Sequence, residues 1–138
     1  MKSLKLAVFA ALVAVSGCDE VLNLAFQDLQ GTWTATTYRF AENASPSNTV
    51  DLIQRDGASF SLTVEADGAA TTVFDDGLSG SSLDSGSLDG TSTTLTLGDS
   101  SFRALRSGDV LTLTDVSTSF DFGTGSAPAT LVIVLRAQ

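Results

Sequence analysis

The run Ser59-Phe60-Ser61-Leu62-Thr63-Val64-Glu65 alternates polar and apolar residues with a period of two. That spacing sets Phe60, Leu62 and Val64 on one face of an extended strand and the hydroxyls and the acid on the other. The same alternation returns at Leu95 and Leu97 and at Leu111 and Leu113. After Gln30 no apolar stripe repeats at helical spacing. Thr, Ser, Val, Leu and Phe dominate, and Gly, Asp, Asn and Ser interrupt them at short intervals. The pattern predicts strands near 31–40, 50–54, 59–65, 70–75, 83–89, 93–97, 101–106, 110–115, 118–122 and 129–136, about eight to ten in all. Asp67-Gly68 and Ser107-Gly108 lie between such runs and predict tight hairpins, with Asp56-Gly57 and Asp89-Gly90 as weaker versions of the same signal. The last run, Leu131-Val132-Ile133-Val134-Leu135, is apolar on both faces and should be central or covered rather than an exposed edge. With sequential hairpins and no crossover helix, the simplest arrangement is an all-β meander. Closing it into an antiparallel up-and-down β-barrel removes the exposed edges.

Two segments break the alternation. From Asp75 to Ser92 the chain is low in complexity, repeating Gly80-Ser81-Ser82-Leu83-Asp84 as Gly86-Ser87-Leu88-Asp89, which reads as one strand with loose flanks. The N-terminal segment has the three parts of a secretory signal: Lys2 and Lys5, an apolar core from Leu6 to Val15, and small residues before Cys18. That core is too short to cross a bilayer, which takes roughly 20 apolar residues.

The tetrad Val15-Ser16-Gly17-Cys18 resembles the lipobox of bacterial lipoproteins. The resemblance implies cleavage of residues 1–17, acylation of Cys18 and a lipid anchor at the cell envelope, with residues 18–28 as a tether. Each buried methylene contributes about 0.8 kcal/mol, so two or more chains on one residue hold a protein stably at a membrane. Asp19 and Glu20 follow the cysteine, where acids resemble an inner-membrane retention signal in some bacterial groups and a surface-export signal in others. The tether carries Val21, Leu22, Leu24, Ala25 and Phe26, spaced so that a helical turn could pack over the end of the domain; a plain linker is the alternative.

Charge narrows the partners. The whole chain is at −9, and loss of Lys2 and Lys5 with the signal leaves five arginines against sixteen acids, a side-chain balance of −11. Nucleic-acid affinity rests on cations neutralising phosphates, so nucleic acid is not an expected partner, and the domain is expected to be monomeric.

Leu29-Gln30-Gly31-Thr32-Trp33 resembles the Gly-x-Trp signature of the lipocalins and of the lipocalin-like, calycin-type domains of bacterial lipoproteins. The resemblance spans residues 29–138. It implies a barrel whose closed end holds Trp33 beneath an arginine from a late strand, in the position of Arg136, with Arg106 as the competitor; Gly31, Trp33 and Arg136 form its structural signature. The family's Thr-Asp-Tyr turn is matched only by Thr114-Asp115-Val116, without the tyrosine, and the domain is shorter than a full lipocalin. Small barrels tend to be filled by their own side chains.

Little catalytic chemistry is on offer. The chain has no histidine, the commonest general base and metal ligand, and its one cysteine is the expected anchor. Adjacent carboxylates such as Asp75-Asp76 cannot flank a scissile bond from opposite sides. Asp75, Asp76, Asp84 and Asp89 could offer oxygens to calcium, but their spacing does not match the Asp-x-Asp-x-Asp-Gly loop, and solvated turn aspartates are the simpler reading. No enzyme, metal or cofactor is therefore expected. The expected role is a lipid-anchored barrel that binds a small, partly apolar ligand in a cavity walled by Phe60, Leu62, Val64, Val73, Leu95, Leu97, Phe102, Leu111 and Leu113. The rival is a filled barrel acting through its outer surface as an interaction or inhibitor module.

Overall fold

The computed structural model describes residues 26–88 and 94–138. The signal segment, Cys18, the tether up to Ala25 and the Asp89-Gly90 turn lie outside them. The described chain is all-β: a closed, antiparallel, eight-stranded up-and-down barrel with one extra strand. A single turn of helix, α1 (Phe26–Leu29), precedes β1 (Gly31–Glu42), β2 (Thr49–Asp51), a short helix α2 (Leu52–Asp56) and β3 (Ser59–Val64). There follow β4 (Ala69–Asp75), β5 (Ser81–Leu88), β6 (Thr94–Leu97), β7 (Ser100–Ser107), β8 (Val110–Asp121) and β9 (Ser126–Ala137). From β3 onward each strand pairs with the next, and β9 returns to pair with β1. The meander closes and loses its edges. As the apolar run at 131–135 requires, β9 is flanked on both sides, by β1 and β8.

Two sequence expectations change here. The predicted strand at 50–54 is three residues of β2 followed by α2. Asp51 caps that helix, its Oδ1 accepting the Ile53 N–H at 3.0 Å, and Gly57 ends it in the left-handed conformation at φ 72°. Asp56-Gly57 is thus a helix end rather than a hairpin. The helix has a place to go because β1 pairs with β3 only over Gly31–Thr34; higher up, β1 pairs with β2, and Leu52 of α2 packs against the core. The strands predicted at 110–115 and 118–122 are one strand, β8, interrupted by a bulge. Asp115 stands opposite Leu131 and Thr118 opposite Ala129, so β8 spends one residue more than β9 between those pairs. A matching bulge in β1 leaves Thr36 unpaired between Ala35 opposite Leu135 and Thr37 opposite Val134.

The hairpins at Asp67-Gly68 and Ser107-Gly108 form as the pattern predicts, both glycines taking positive φ. The low-complexity stretch supplies β5, which pairs with β4 over seven residues. Gly86 on it is not a loop residue. A Cβ there would meet the Thr96 carbonyl oxygen of β6 at 1.9 Å, so the close approach of the two backbones requires glycine.

The closed end is packed solid. Leu62, Val64, Leu95, Leu111, Leu113, Ile133 and Leu135 are fully buried around Trp33, which is 2% exposed. Leu29 of α1 is buried beneath them, and its carbonyl accepts the Trp33 Nε1–H at 2.8 Å. Gly31 begins β1 at φ 123°, a conformation that strains any L side chain. The cation over the tryptophan is Arg106, its Cζ 5.4 Å from the ring centroid and its Nε bonded to the Gly108 carbonyl. It is not Arg136. On β7, Phe102, Ala104 and Arg106 share the inward parity, whereas on β9 Leu131, Ile133 and Leu135 face in and Arg136 faces out. Arg136 meets Asp109 on the outer rim at 3.4 Å, both side chains exposed.

Denaturation midpoints should separate these roles. Trp33→Ala is expected to cost about 3 to 5 kcal/mol through lost transfer energy and the cavity left behind. Arg106→Ala should cost on the order of 1 kcal/mol, and Arg136→Ala close to nothing, because an exposed pair contributes little. In the low-complexity strand, Ser85→Ala should stay within about 0.5 kcal/mol while Gly86→Ala shifts the midpoint clearly. Equal losses for both arginines would contradict the packing described for the base.

Candidate functional site at the open end of the barrel

The two bulges decide what lines the other end. Below them the inward residues of β1 and β8 are odd-numbered: Trp33, Ala35, Leu111, Leu113 and Asp115. One extra residue reverses the parity, so above the bulges the inward residues are even: Tyr38 and Phe40 on β1, Thr118 and Phe120 on β8. Without the reversal these aromatic rings would face solvent. Opposite them β3 contributes Phe60, and β4 contributes Thr72 and Phe74.

The result is a cluster of rings around the barrel mouth. Tyr38 stacks on Phe74 with centroids 4.9 Å apart and meets Phe60 at 5.6 Å and Phe40 at 5.8 Å. Phe40 stacks on Phe120 at 4.3 Å, Phe120 meets Phe122 at 5.1 Å, and the Arg55 guanidinium of α2 lies 5.7 Å over Phe120. Arg55 is held there by a bidentate pair with Asp56, at 2.8 and 2.6 Å. Asp51 ties α2 to the wall, its Oδ1 also lying 3.4 Å from the Tyr38 N–H.

Between the rings is a cavity of about 200 Å³. Its apolar lining is Tyr38, Phe40, Phe60, Phe74, Leu97, Phe102 and Leu131; its polar lining is Thr72, Ser82, Asp84, Ser100, Asp115 and Thr118. The two carboxylates come from different walls, Asp84 from β5 and Asp115 from β8. Asp115 is 8% exposed; one oxygen accepts the Ser117 N–H at 2.8 Å across the bulge. No arginine pairs with Asp84 or Asp115 among the described residues, whose ion pairs are Arg55–Asp56 and Arg136–Asp109. Burial pushes the Tyr38 phenol up to about 12, and the nearby charges of Asp84 and Asp115 push the same way. The phenol is therefore neutral at physiological pH.

Of the nine residues expected to wall a cavity, Phe60, Leu97 and Phe102 do so. Leu62, Val64, Leu95, Leu111 and Leu113 lie below it in the solid base. Val73 is a correction. It is 42% exposed on the outer face of β4 beside Leu83 of β5, because Ala70, Thr72 and Phe74 take the inward parity. The residues not anticipated are Tyr38, Phe40, Phe74, Asp84 and Asp115. For Asp115 a signal was present: it continues the inward alternation of Leu111 and Leu113 with a carboxylate.

A larger concavity, about 560 Å³, lies on the outer wall over β6 to β8, beside the exposed Leu105 and Val116. It is a groove on the sheet's outer face, whereas the smaller cavity lies inside the barrel mouth and opens to solvent past Ser82 and Asp84. The turn aspartates do structural work. Asp75 accepts the Gly77 N–H, and Asp76 accepts the Ser79 hydroxyl and the N–H groups of Leu78 and Ser79, which hold its carboxyl down at about 2. Among the described residues no three carboxylates gather as a metal site would need. Comparison with known protein families, curated proteins and solved structures gives no match for this chain.

The phenol makes a pH test possible. Tyr38 is the sole tyrosine, and the sequence after Cys18 has no lysine, so few other groups titrate in the alkaline range. The unfolded phenol ionises near 10 and the folded one near 12. Stability present below pH 10 is therefore lost as pH rises towards 12, on the order of 2 kcal/mol. Denaturant titrations across that window should show the loss in the wild type and not in Tyr38→Phe. An alkaline limb that persists in the variant would place its source elsewhere.

Proposed function

We propose that this chain is a lipid-anchored envelope protein whose barrel binds a small, partly apolar ligand at its open end. The observation that carries the binding half is the contrast between the two ends: a base of fully buried side chains and, above it, a cavity of about 200 Å³ open at the barrel mouth, walled by aromatic rings on one side and by hydroxyls and carboxylates on the other. Ligand sites pair aromatic walls with placed polar groups, and this one is more polar than most. Filling the space would have needed only larger residues at Thr72, Ser82, Ser100 or Thr118. An apolar cavity of roughly 150 Å³ accommodates benzene, so the mouth suits a molecule of about one ring with a short side chain.

The anchor half rests on Val15-Ser16-Gly17-Cys18 and the signal before it. An acylated Cys18 would join the barrel through the tether and α1 at the closed end, leaving the opposite, open end turned away from the membrane. The role is binding rather than catalysis: the mouth offers carboxylates, hydroxyls and a neutral phenol, with no histidine or lysine to serve as a base near neutral pH. The outer groove with Leu105 and Val116 at 62% and 66% exposure favours the rival reading, an interaction module that uses the barrel's wall.

Native mass spectrometry of protein extracted from its source cell separates the two. An added small mass is expected on the wild type and not on Thr118→Trp, which fills the mouth. A bare wild-type mass would favour the interaction module. For the anchor, Cys18→Ser should move the protein out of the membrane fraction, and an unchanged distribution would rule out acylation as the tether.

A further inference from the structure

Taking the mouth as a ligand cavity, we propose that it selects an organic cation: a protonated amine carrying one ring or a short aliphatic chain, held by Asp84 and Asp115 against the aromatic wall.

The interior of a barrel is a costly place for carboxylates. A buried charge is normally paired, and an unpaired one costs several kcal/mol or more unless something compensates it. Asp115 is more than nine-tenths buried, lines the cavity, and has a single backbone N–H as its partner. Asp84 lines the same space from its solvent-exposed rim and makes no side-chain hydrogen bond among the described residues, so the burial cost falls on Asp115 alone. Among the described residues no arginine forms an ion pair with either acid: Arg55 is committed to Asp56, Arg106 lies over Trp33 in the base, Arg136 meets Asp109, and Arg39 and Arg103 point outward from β1 and β7, Arg103 into the outer groove that Asp115 also borders. A ligand that brings its own positive charge would complete the site.

The walls specify an organic rather than a metallic cation. Calcium takes six to eight oxygen ligands, and the mouth gathers only two carboxylates, with hydroxyls spread over separate strands and no third acid beside them among the described residues. The faces of Tyr38, Phe40, Phe60 and Phe74 instead suit an ammonium head on an apolar body, since a cation over an aromatic face gains about 0.5 to 2 kcal/mol. The Tyr38 hydroxyl makes no hydrogen bond with the described residues. Neutral at working pH, it can accept from an ammonium N–H. Anionic ligands of the same shape would meet two like charges. The mature chain's balance of −11 adds a long-range field that draws cations to it.

Calorimetric titration of the full chain with three probes of one shape, 2-phenylethylamine, 2-phenylethanol and 3-phenylpropionate, tests the charge preference directly. The amine is expected to bind at least tenfold more tightly than the alcohol, with the carboxylate weakest. Asp84→Asn, at the open rim where folding is not at stake, should lower amine affinity about tenfold and leave the alcohol unchanged; Asp115→Asn should do the same where it folds. Alcohol binding that equals or exceeds amine binding would overturn the cation proposal while leaving the cavity reading intact. Binding of none of the three would overturn both, and amine affinity indifferent to Asp84→Asn and Asp115→Asn would place the amine elsewhere.

Discussion

The pairing of β9 with both neighbours is the constraint on which the rest of this barrel depends. β9 runs straight, its odd-numbered residues facing in along its whole length, and it closes the sheet by bonding to β1 on one side and β8 on the other. Each of those partners carries one extra residue against it. A straight strand between two bulged ones gives the two ends of the barrel different interiors. Below the bulges, leucine, isoleucine and tryptophan fill the space; above them, the reversed parity brings in Tyr38, Phe40, Thr118 and Phe120. Register puts Phe40, Leu131 and Asp115 side by side at the boundary. The acid therefore enters the barrel at the level where solid packing gives way to open space.

The base provides the stability that such a mouth requires. Its residues are joined by packing, by the Trp33 bond to Leu29 and by Arg106 over the indole face, and none of these contacts reaches the open end. The mouth is held differently. Its rings stack on one another, α2 fills the gap where β1 and β3 part, and Asp51 ties that helix to β1. A cavity lined by carboxylates lowers stability locally. Because that cavity is separate from the packed base, substitutions at the mouth can change its lining without disturbing the contacts around Trp33.

The fold was largely legible in the chain because period-two alternation reports directly on a sheet with one buried face. It located the hairpins at Gly68 and Gly108, the run at 131–135 and the burial of Phe60, Leu62 and Val64. Alternation failed at four places, for three physical reasons. At Asp51–Gly57 a cap and a left-handed glycine make a helical turn too short to show a period. At 115–118 and at Thr36 a bulge changes the parity, which reads in the sequence as two strands or as a loss of pattern. At Val73 a β-branched residue on an outer face imitates an inward one. Arg106 over Trp33 was readable from Phe102-x-Ala104-x-Arg106, and Arg136 could be set aside by counting from Leu135; the family resemblance pointed to the wrong one of the two.

The site was less legible than the fold, and the bulges explain why. A cavity forms where residues from β1 and from every strand from β3 to β9 meet, so its composition depends on the register of every pairing at once. One extra residue in β1 decides whether Tyr38 and Phe40 face the interior or water, and nothing local in Thr34 to Thr37 marks it. Asp84 is hidden in a repeat where acids alternate with serine and glycine, and only its pairing opposite the buried Thr72 shows that it faces inward. Asp115 is different. A carboxylate that continues a run of buried leucines opposes the hydrophobic pattern around it, and taking such a group out of water costs stability unless hydrogen bonds offset it. It stands at the floor of the cavity, where the bulge brings the Ser117 N–H onto one of its oxygens and so fixes the direction in which the carboxylate points.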